Sequence, residues 1–192
     1  MDIDSPPSPC PPVRALAFDL DGTLVDSAPD IGHALNSALQ QEGLSVFDIE
    51  RVRSWIGDGP DVLIERALCA AGRPEDSALQ ARLRRGFDAF TFQHPLQHGH
   101  VYDGIDALLA QLRPVVTNKP TPLARAVLDA AGLLSYFSAV YGADTAELRK
   151  PAPNMLQRAA QELGFQTGDL LMVGDSGADL RALAIRPTLA GL

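Results

Sequence analysis

The chain has 192 residues, 46% hydrophobic and 21% charged, an ordinary globular composition that excludes a low-complexity or fibrous chain. Its 24 acids and 16 bases leave a net charge of −8, the wrong sign for a nucleic-acid partner, although a metal and local cations can still receive a small phosphorylated substrate. Cys10 and Cys69 alone make no disulfide framework, no apolar run approaches the ~18 residues of a membrane span, and the N-terminus lacks a basic-then-apolar signal, so a cytoplasmic protein with no membrane partner is predicted.

Residues 1–12 (MDIDSPPSPCPP) hold five prolines and read as a disordered, extended tail. Ala15-Leu16-Ala17-Phe18 is a short apolar run without polar alternation, the pattern of a parallel strand buried on both faces. Asp19, Asp21, Gly22 and Thr23 end it, because Asp and Gly are poor strand residues. Two carboxylates two residues apart, at the C-terminal edge of such a strand, stand where open α/β sheets place their chemistry. They repel each other, so a shared proton or a cation must hold them, and a hard, oxygen-ligated ion such as Mg2+ suits.

Ser27-Ala-Pro-Asp30 opens a helix, with Ser27 as its cap, and Ile31, Ala34, Leu35, Ala38 and Leu39 follow helical spacing up to Gly43. Helical patterns recur over Ile49 to Ile56, Val62 to Ala71 and Leu79 to Phe92, with Gly57-Asp58-Gly59-Pro60 and Gly72-Arg73-Pro74 between them. Residues 28–95 therefore form a block of about four helices without a strand. A short helical run from Ile105 to Leu112 precedes Pro114-Val-Val-Thr117, a strand curtailed by a proline that cannot donate to a central ladder. Thr121 with Pro122 caps the next helix, which runs to Leu134 past Gly132, and leaves Thr117 free for another role. Ser138 to Gly142 is strand-like, Pro153 to Leu163 is a helix, and Leu170 to Val173 is a buried strand feeding Gly174-Asp175-Ser176-Gly177-Ala178-Asp179. That acidic loop repeats the logic of Asp19 and Asp21, and Asp175 is the natural third metal oxygen. The histidines are poor metal candidates, for none forms an i, i+4 pair with an acid partner on a helix.

Taken together, these stretches resemble the haloacid dehalogenase-like hydrolases. Asp19-x-Asp21-x-Thr23 is similar to their first motif, and FDLDGTLVDSAPD resembles the phosphoglycolate phosphatase branch. The apolar strand ending in Thr117 resembles motif II, and Thr117-Asn118-Lys119-Pro120 that branch's version of it. Lys150-Pro-Ala-Pro resembles motif III, and Gly174-Asp175 through Asp179 motif IV. The resemblance covers Ala15 to Asp179 and implies an α/β protein: a Rossmann-like parallel sheet core (13–27 and 96–192) with an inserted all-helical cap (28–95).

The resemblance also implies a mechanism. Asp19 attacks phosphorus and becomes an aspartyl-phosphate; Asp21 protonates the leaving alkoxide and then activates water. Mg2+ is held by Asp19, the Asp21 carbonyl and Asp175, with Asp179 orienting its waters or Lys150. Thr117, amides near Asn118, and Lys150 bind phosphoryl oxygens. The cap closes over the substrate, and Gly57-Asp58 is the loop that reaches the site. The substrate so implied is a small phosphomonoester, foremost 2-phosphoglycolate. A sugar-phosphate mutase of the β-phosphoglucomutase type, and a shortened non-catalytic phosphate-binding remnant, are the alternatives. The remnant is suggested by two departures from the family pattern: the tight connection between Leu112 and Val115, and the end of the chain at Leu192, whose last seven residues supply at most one edge strand. Either a monomer or a homodimer is compatible with the sequence.

Overall fold

In a computed structural model, residues 13–74, 76–109 and 114–184 are described. The predicted proline-rich tail, the end of the helical run past Leu109 and the closing edge strand lie outside them.

Four parallel strands form the central sheet: β1 (Ala15–Phe18), β4 (Val115–Thr117), β5 (Val140–Gly142) and β6 (Leu170–Val173), in the order β5-β4-β1-β6. This is the expected Rossmann-like α/β core. β1 runs beside β6 along its length, Ala15 opposite Leu170 and Phe18 opposite Val173. Against β4 it is held only at its end, Phe18 opposite Val115. The curtailed strand is therefore observed, and Pro114, which has no N–H, contributes its carbonyl to the Phe18 N–H at 3.0 Å.

Alternate strand residues point to opposite faces. Phe18 and Val115 join Val127, Leu128 and Leu133 beneath α6 (Thr121–Ala130). Ala17, Val116 and Met172 pack on the other face against α7 (Asn154–Glu162) and α8 (Gly177–Ala184), with Leu156, Ala159 and Ala182. β4 is buried on both faces, as the sequence reading expects, whereas in β6 Leu170 and Met172 are buried and Leu171, on the opposite face, is exposed among the described residues, which corrects the expectation of a fully buried strand there.

The block after β1 consists of α1 (Ala28–Gln41), α2 (Ile49–Arg53), α3 (Pro60–Ala70) and α4 (Ser77–Gln93). It encloses its own apolar cluster of Leu35, Leu39, Val52, Ile64, Leu68, Leu83 and Phe87. α2 is shorter than the Ile49 to Ile56 pattern, since residues 54–57 turn to present the Gly57-Asp58-Gly59 loop. Entry to and exit from the block use a ribbon that the sequence reading missed: β2 (Val25–Asp26) pairs antiparallel with β3 (His100–Val101). Two-residue strands carry no periodicity to read. A short α5 (Ile105–Leu109) leads back to the core.

Two caps differ from expectation. Ser27 occupies the N-cap of α1 but makes no capping hydrogen bond, because its hydroxyl is drawn to Asp21. The N-cap position of α6 falls on Pro120, one residue before Thr121. Thr121 instead donates from its N–H and its hydroxyl to Asp144, both at 2.7 Å, so a carboxylate beyond β5 serves the helix end.

Candidate active site

Three strand ends converge here. Asp19 follows β1, Thr117 ends β4, and Asp175 follows β6, all at the C-terminal edge of the sheet. Lys150 reaches in from the loop before α7.

Asp19 is buried, and Oδ1 accepts the Leu20 N–H at 2.8 Å and lies 2.9 Å from the Lys150 ammonium. Both donors sit on one oxygen, which leaves Oδ2 for chemistry. Burial pushes the Asp19 carboxyl up to about 6 against the pull of the Lys150 charge, with the Asp179 and Asp21 carboxylates adding to the rise. Lys150 is only 2% exposed, and its three N–H donors have three partners: Asp19, Asp179 at 2.7 Å and the Val116 carbonyl at 3.0 Å. It stands behind the nucleophile candidate. Any direct contact with a substrate oxygen has to displace one of those bonds, which modifies the expectation that it binds phosphoryl oxygens.

Asp21 is partly buried, and Ser27 Oγ donates to its Oδ1 at 2.5 Å while Lys119 Nζ lies 3.0 Å from the same oxygen. Neither partner was assigned by sequence reasoning. Ser27 looked like a cap, and Lys119 was one letter in the Thr117-Asn118-Lys119-Pro120 string. A buried cation directly after a catalytic-type strand end was the one available signal.

Thr117 is buried, and its Oγ accepts the Lys119 N–H at 3.2 Å. The Asn118 side chain is fully committed to protein. Its amide donates to the Gly57 carbonyl at 2.9 Å and the Lys150 carbonyl at 3.2 Å, and its oxygen accepts the Lys150 N–H at 2.7 Å. Rather than offering itself to phosphate, it clamps the helical block to the core. Gly59, at φ 85°, makes this approach possible, since a Cβ there would meet the Asn118 carbonyl at 3.0 Å.

Gly57 lines the cavity beside Asp19, but Asp58 does not: its carboxylate pairs with Arg66 at 2.5 Å. Contact between Asp58 and substrate would have to compete with this ion pair. A nearby arginine on α3 captured the carboxylate, which sequence spacing could not reveal.

The cavity is lined by Asp19, Asp21, Thr117, Asn118 and Lys119 from the core, and by Ile31, Ile56, Leu63 and Phe87 from the helical block. Its volume of about 40 Å³ is room for roughly three waters.

Oxygens of Asp19, Asp175 and Asp179 lie within 4.8 Å of one another. Asp179 is spent on structure: Oδ1 accepts from Lys150, and Oδ2 accepts the Ser176 N–H at 3.0 Å and hydroxyl at 2.6 Å. Asp19 and the exposed Asp175 are the carboxylates left for a metal, with Thr23 Oγ donating to Asp175 at 3.4 Å. Gly22, at φ 83°, lets that loop close, because a Cβ would strike Asp175 Oδ2 at 2.3 Å. An all-oxygen donor set that is anionic and partly open to water fits Mg2+.

Comparison with known proteins bears on this arrangement. A family model described as haloacid dehalogenase-like hydrolase matches residues 13–185. The chain is 40% identical over 176 residues to the phosphoglycolate phosphatase of Yersinia pseudotuberculosis serotype I, spanning 88% of this chain and 76% of that protein. The Escherichia coli K12 phosphoglycolate phosphatase is 40% identical over 197 residues, with 88% and 77% covered. Among solved structures, that of a predicted phosphoglycolate phosphatase from Haemophilus somnus 129pt superposes with a TM-score of 0.81 at 32% identity, over 89% of this chain and 80% of that one.

Proposed function

The chain belongs to the haloacid dehalogenase-like hydrolase family, and on that premise we propose that it is a Mg2+-dependent phosphatase of small phosphomonoesters, with 2-phosphoglycolate as its substrate. The observation that carries the reading is the pair of differently partnered carboxylates at the end of β1. Asp19 has Lys150 behind it, Asp21 has Ser27 and Lys119, and both line one cavity. The phosphoglycolate phosphatases at 40% identity support the phosphatase over the mutase.

Asp19 Oδ2 attacks phosphorus, the bond to the leaving oxygen breaks, and an acyl phosphate forms on Asp19. Asp21 delivers a proton to the departing alkoxide and then takes one from the water that hydrolyses the intermediate. Lys150 holds the Asp19 carboxylate in line, and Asp179 holds Lys150. The Asp19 and Asp175 carboxylates and the Asp21 carbonyl would hold Mg2+, which would supply positive charge against the anionic nucleophile and phosphoryl group. Thr117 is the hydroxyl available to a phosphoryl oxygen. Residues 28–95 serve as the cap. The Gly57–Pro60 loop borders the cavity and is the element whose movement admits substrate.

The two cysteines support a cytoplasmic location, with Cys69 an exposed free thiol, and among the described residues no helix is long and apolar enough to cross a membrane. The test is phosphate release from a set of small phosphomonoesters with Mg2+. Release that is fastest from 2-phosphoglycolate and absent in Asp19→Asn is expected. Equal activity in Asp19→Asn refutes the assignment.

A further inference from the structure

Resting on the phosphatase reading, we infer that Lys119 is the specificity-determining residue of this site: its ammonium receives the carboxylate at the end of the substrate remote from phosphorus. Lys119 is 6% exposed, a depth at which a lysine must have an anionic partner. In this structure the partner is Asp21 Oδ1 at 3.0 Å. That oxygen already has a positioned donor in Ser27 Oγ at 2.5 Å. Orienting Asp21 therefore does not by itself account for a buried cation.

The other buried lysine has no donor left over for a substrate carboxylate. Lys150 has its three donors on Asp19, Asp179 and the Val116 carbonyl. Among the described residues lining the cavity, Lys119 is the single cation, and the wall contributed by the helical block is apolar at Ile31, Ile56, Leu63 and Phe87. A carboxylate brought into such a space without a cation loses its hydration uncompensated. With Lys119 it gains a charge-assisted hydrogen bond in a dry site. The N-terminus of α3 borders the same space at Gly59-Pro60 without a side-chain cap, and its partial positive charge adds to the preference.

Position agrees with chemistry. Asp21 is the group that faces the leaving oxygen, and in a phosphorylated 2-hydroxy acid the carboxyl carbon is bonded to the carbon that bears that oxygen. A lysine touching Asp21 is therefore where the carboxylate arrives. Phe87 and Leu63 line the same cavity and favour a short acid over one with a polar extension. The class selected is a short phosphorylated 2-hydroxy acid. Phosphomonoesters of the same length that lack a carboxylate are discriminated against.

The test compares 2-phosphoglycolate with 2-hydroxyethyl phosphate, which has a similar length and no carboxylate, on the full chain with Mg2+. The parent should favour 2-phosphoglycolate in kcat/KM. Lys119→Met should cut that preference about 100-fold, mainly through KM, and Lys119→Arg should restore part of it. Equal losses on both substrates would mean that Lys119 acts only through Asp21, and the inference falls. Calorimetric titration of Asp19→Asn with the same two compounds reads discrimination without turnover. There, too, adding Lys119→Met should abolish any preference for 2-phosphoglycolate. A preference that survives, or one absent before Lys119 is changed, overturns the inference. By contrast, a parent that releases no phosphate from any monoester refutes the phosphatase reading while the titration still decides the role of Lys119.

Discussion

Asp19 and Asp21 are two residues apart, yet their partners differ, and the difference separates their roles. Asp19 has both recorded donors on Oδ1 and a lysine behind it; Asp21 has a serine hydroxyl and a second lysine. Asp19→Asn removes the nucleophile and a metal charge, so turnover and phosphoenzyme formation should disappear together. Asp21→Asn keeps the nucleophile and the backbone carbonyl and loses proton delivery, commonly worth ~10²–10⁴-fold. An aryl phosphate, whose leaving group needs little protonation, should still phosphorylate this variant and then stall. Intact-protein mass spectrometry after rapid mixing should show a phosphate adduct on Asp21→Asn and none on Asp19→Asn. An adduct on Asp19→Asn would move the nucleophile elsewhere.

Among the elements, the ends of the helical block are tied down by carboxylates. Asp30, in the first turn of α1, accepts the N–H groups of Gln97, His98 and Gly99 at 2.8–3.0 Å, which fixes the return strand β3 beside β2. It is 7% exposed. Asp30→Ala strands three donors and should lower unfolding free energy by about 2–3 kcal/mol in urea titration. A loss under about 0.5 kcal/mol would show that water replaces the carboxylate there.

Asp26 on β2 pairs with Arg53 of α2 at 3.0 Å. Burial raises the Asp26 carboxyl, but the Arg53 hydrogen bond and charge outweigh it and hold the group below its ordinary value. A depressed carboxylate contributes stability above its unfolded pKa, and that contribution is lost as pH falls through the folded value, in the range below about 4. The pair is partly exposed, so it is worth at most about 1 kcal/mol. Arg53→Met should therefore be less stable than the parent at pH 6 and indistinguishable from it at pH 2.5. A difference of the same size at both pH values would assign the effect to lost packing.

On the scale of the whole molecule, the helical block has its own apolar cluster and meets the sheet core through polar contacts beside the cavity. Asn118 holds the Gly57 carbonyl, while Asp61 of α3 binds Arg149 of the core at 3.2 Å and also Arg84 of α4. Opening this junction for substrate entry uncovers Ile31, Leu63 and Phe87, the members of the helical block's cluster that line the cavity. Metal binding acts on the whole fold as well, because a ligand that binds only the native state stabilises it. Mg2+ at about 100 times its Kd should add about 2.7 kcal/mol to unfolding free energy. Asp175→Asn removes a ligand charge and should abolish most of that gain, and a chelator should reverse it in the parent. An unchanged Mg2+ response in Asp175→Asn would place the ion elsewhere.

The sequence alone determined the parallel core and the positions of the chemistry. Ala15 to Phe18 and Leu170 to Val173 are apolar throughout, Ala17, Phe18, Leu170 and Met172 are buried in the core, and the acidic residues stand where those runs stop. The helical block was legible from its 3.6-residue spacing and its glycine punctuation, which are local properties of the chain. What only the tertiary structure decided is which charge meets which. Ser27 lies 6 residues from Asp21 and looks like a cap until the turn after β1 brings them together. Arg66 pairs with Asp58, and Asp144 rather than Thr121 serves the start of α6. The β2–β3 ribbon joins residues far apart in the chain, and Lys119 becomes notable only once β1 and β4 lie side by side. Backbone patterning follows from neighbouring residues, whereas a side chain's partner depends on which segments packing brings within about 3 Å, and no single stretch of sequence carries that information.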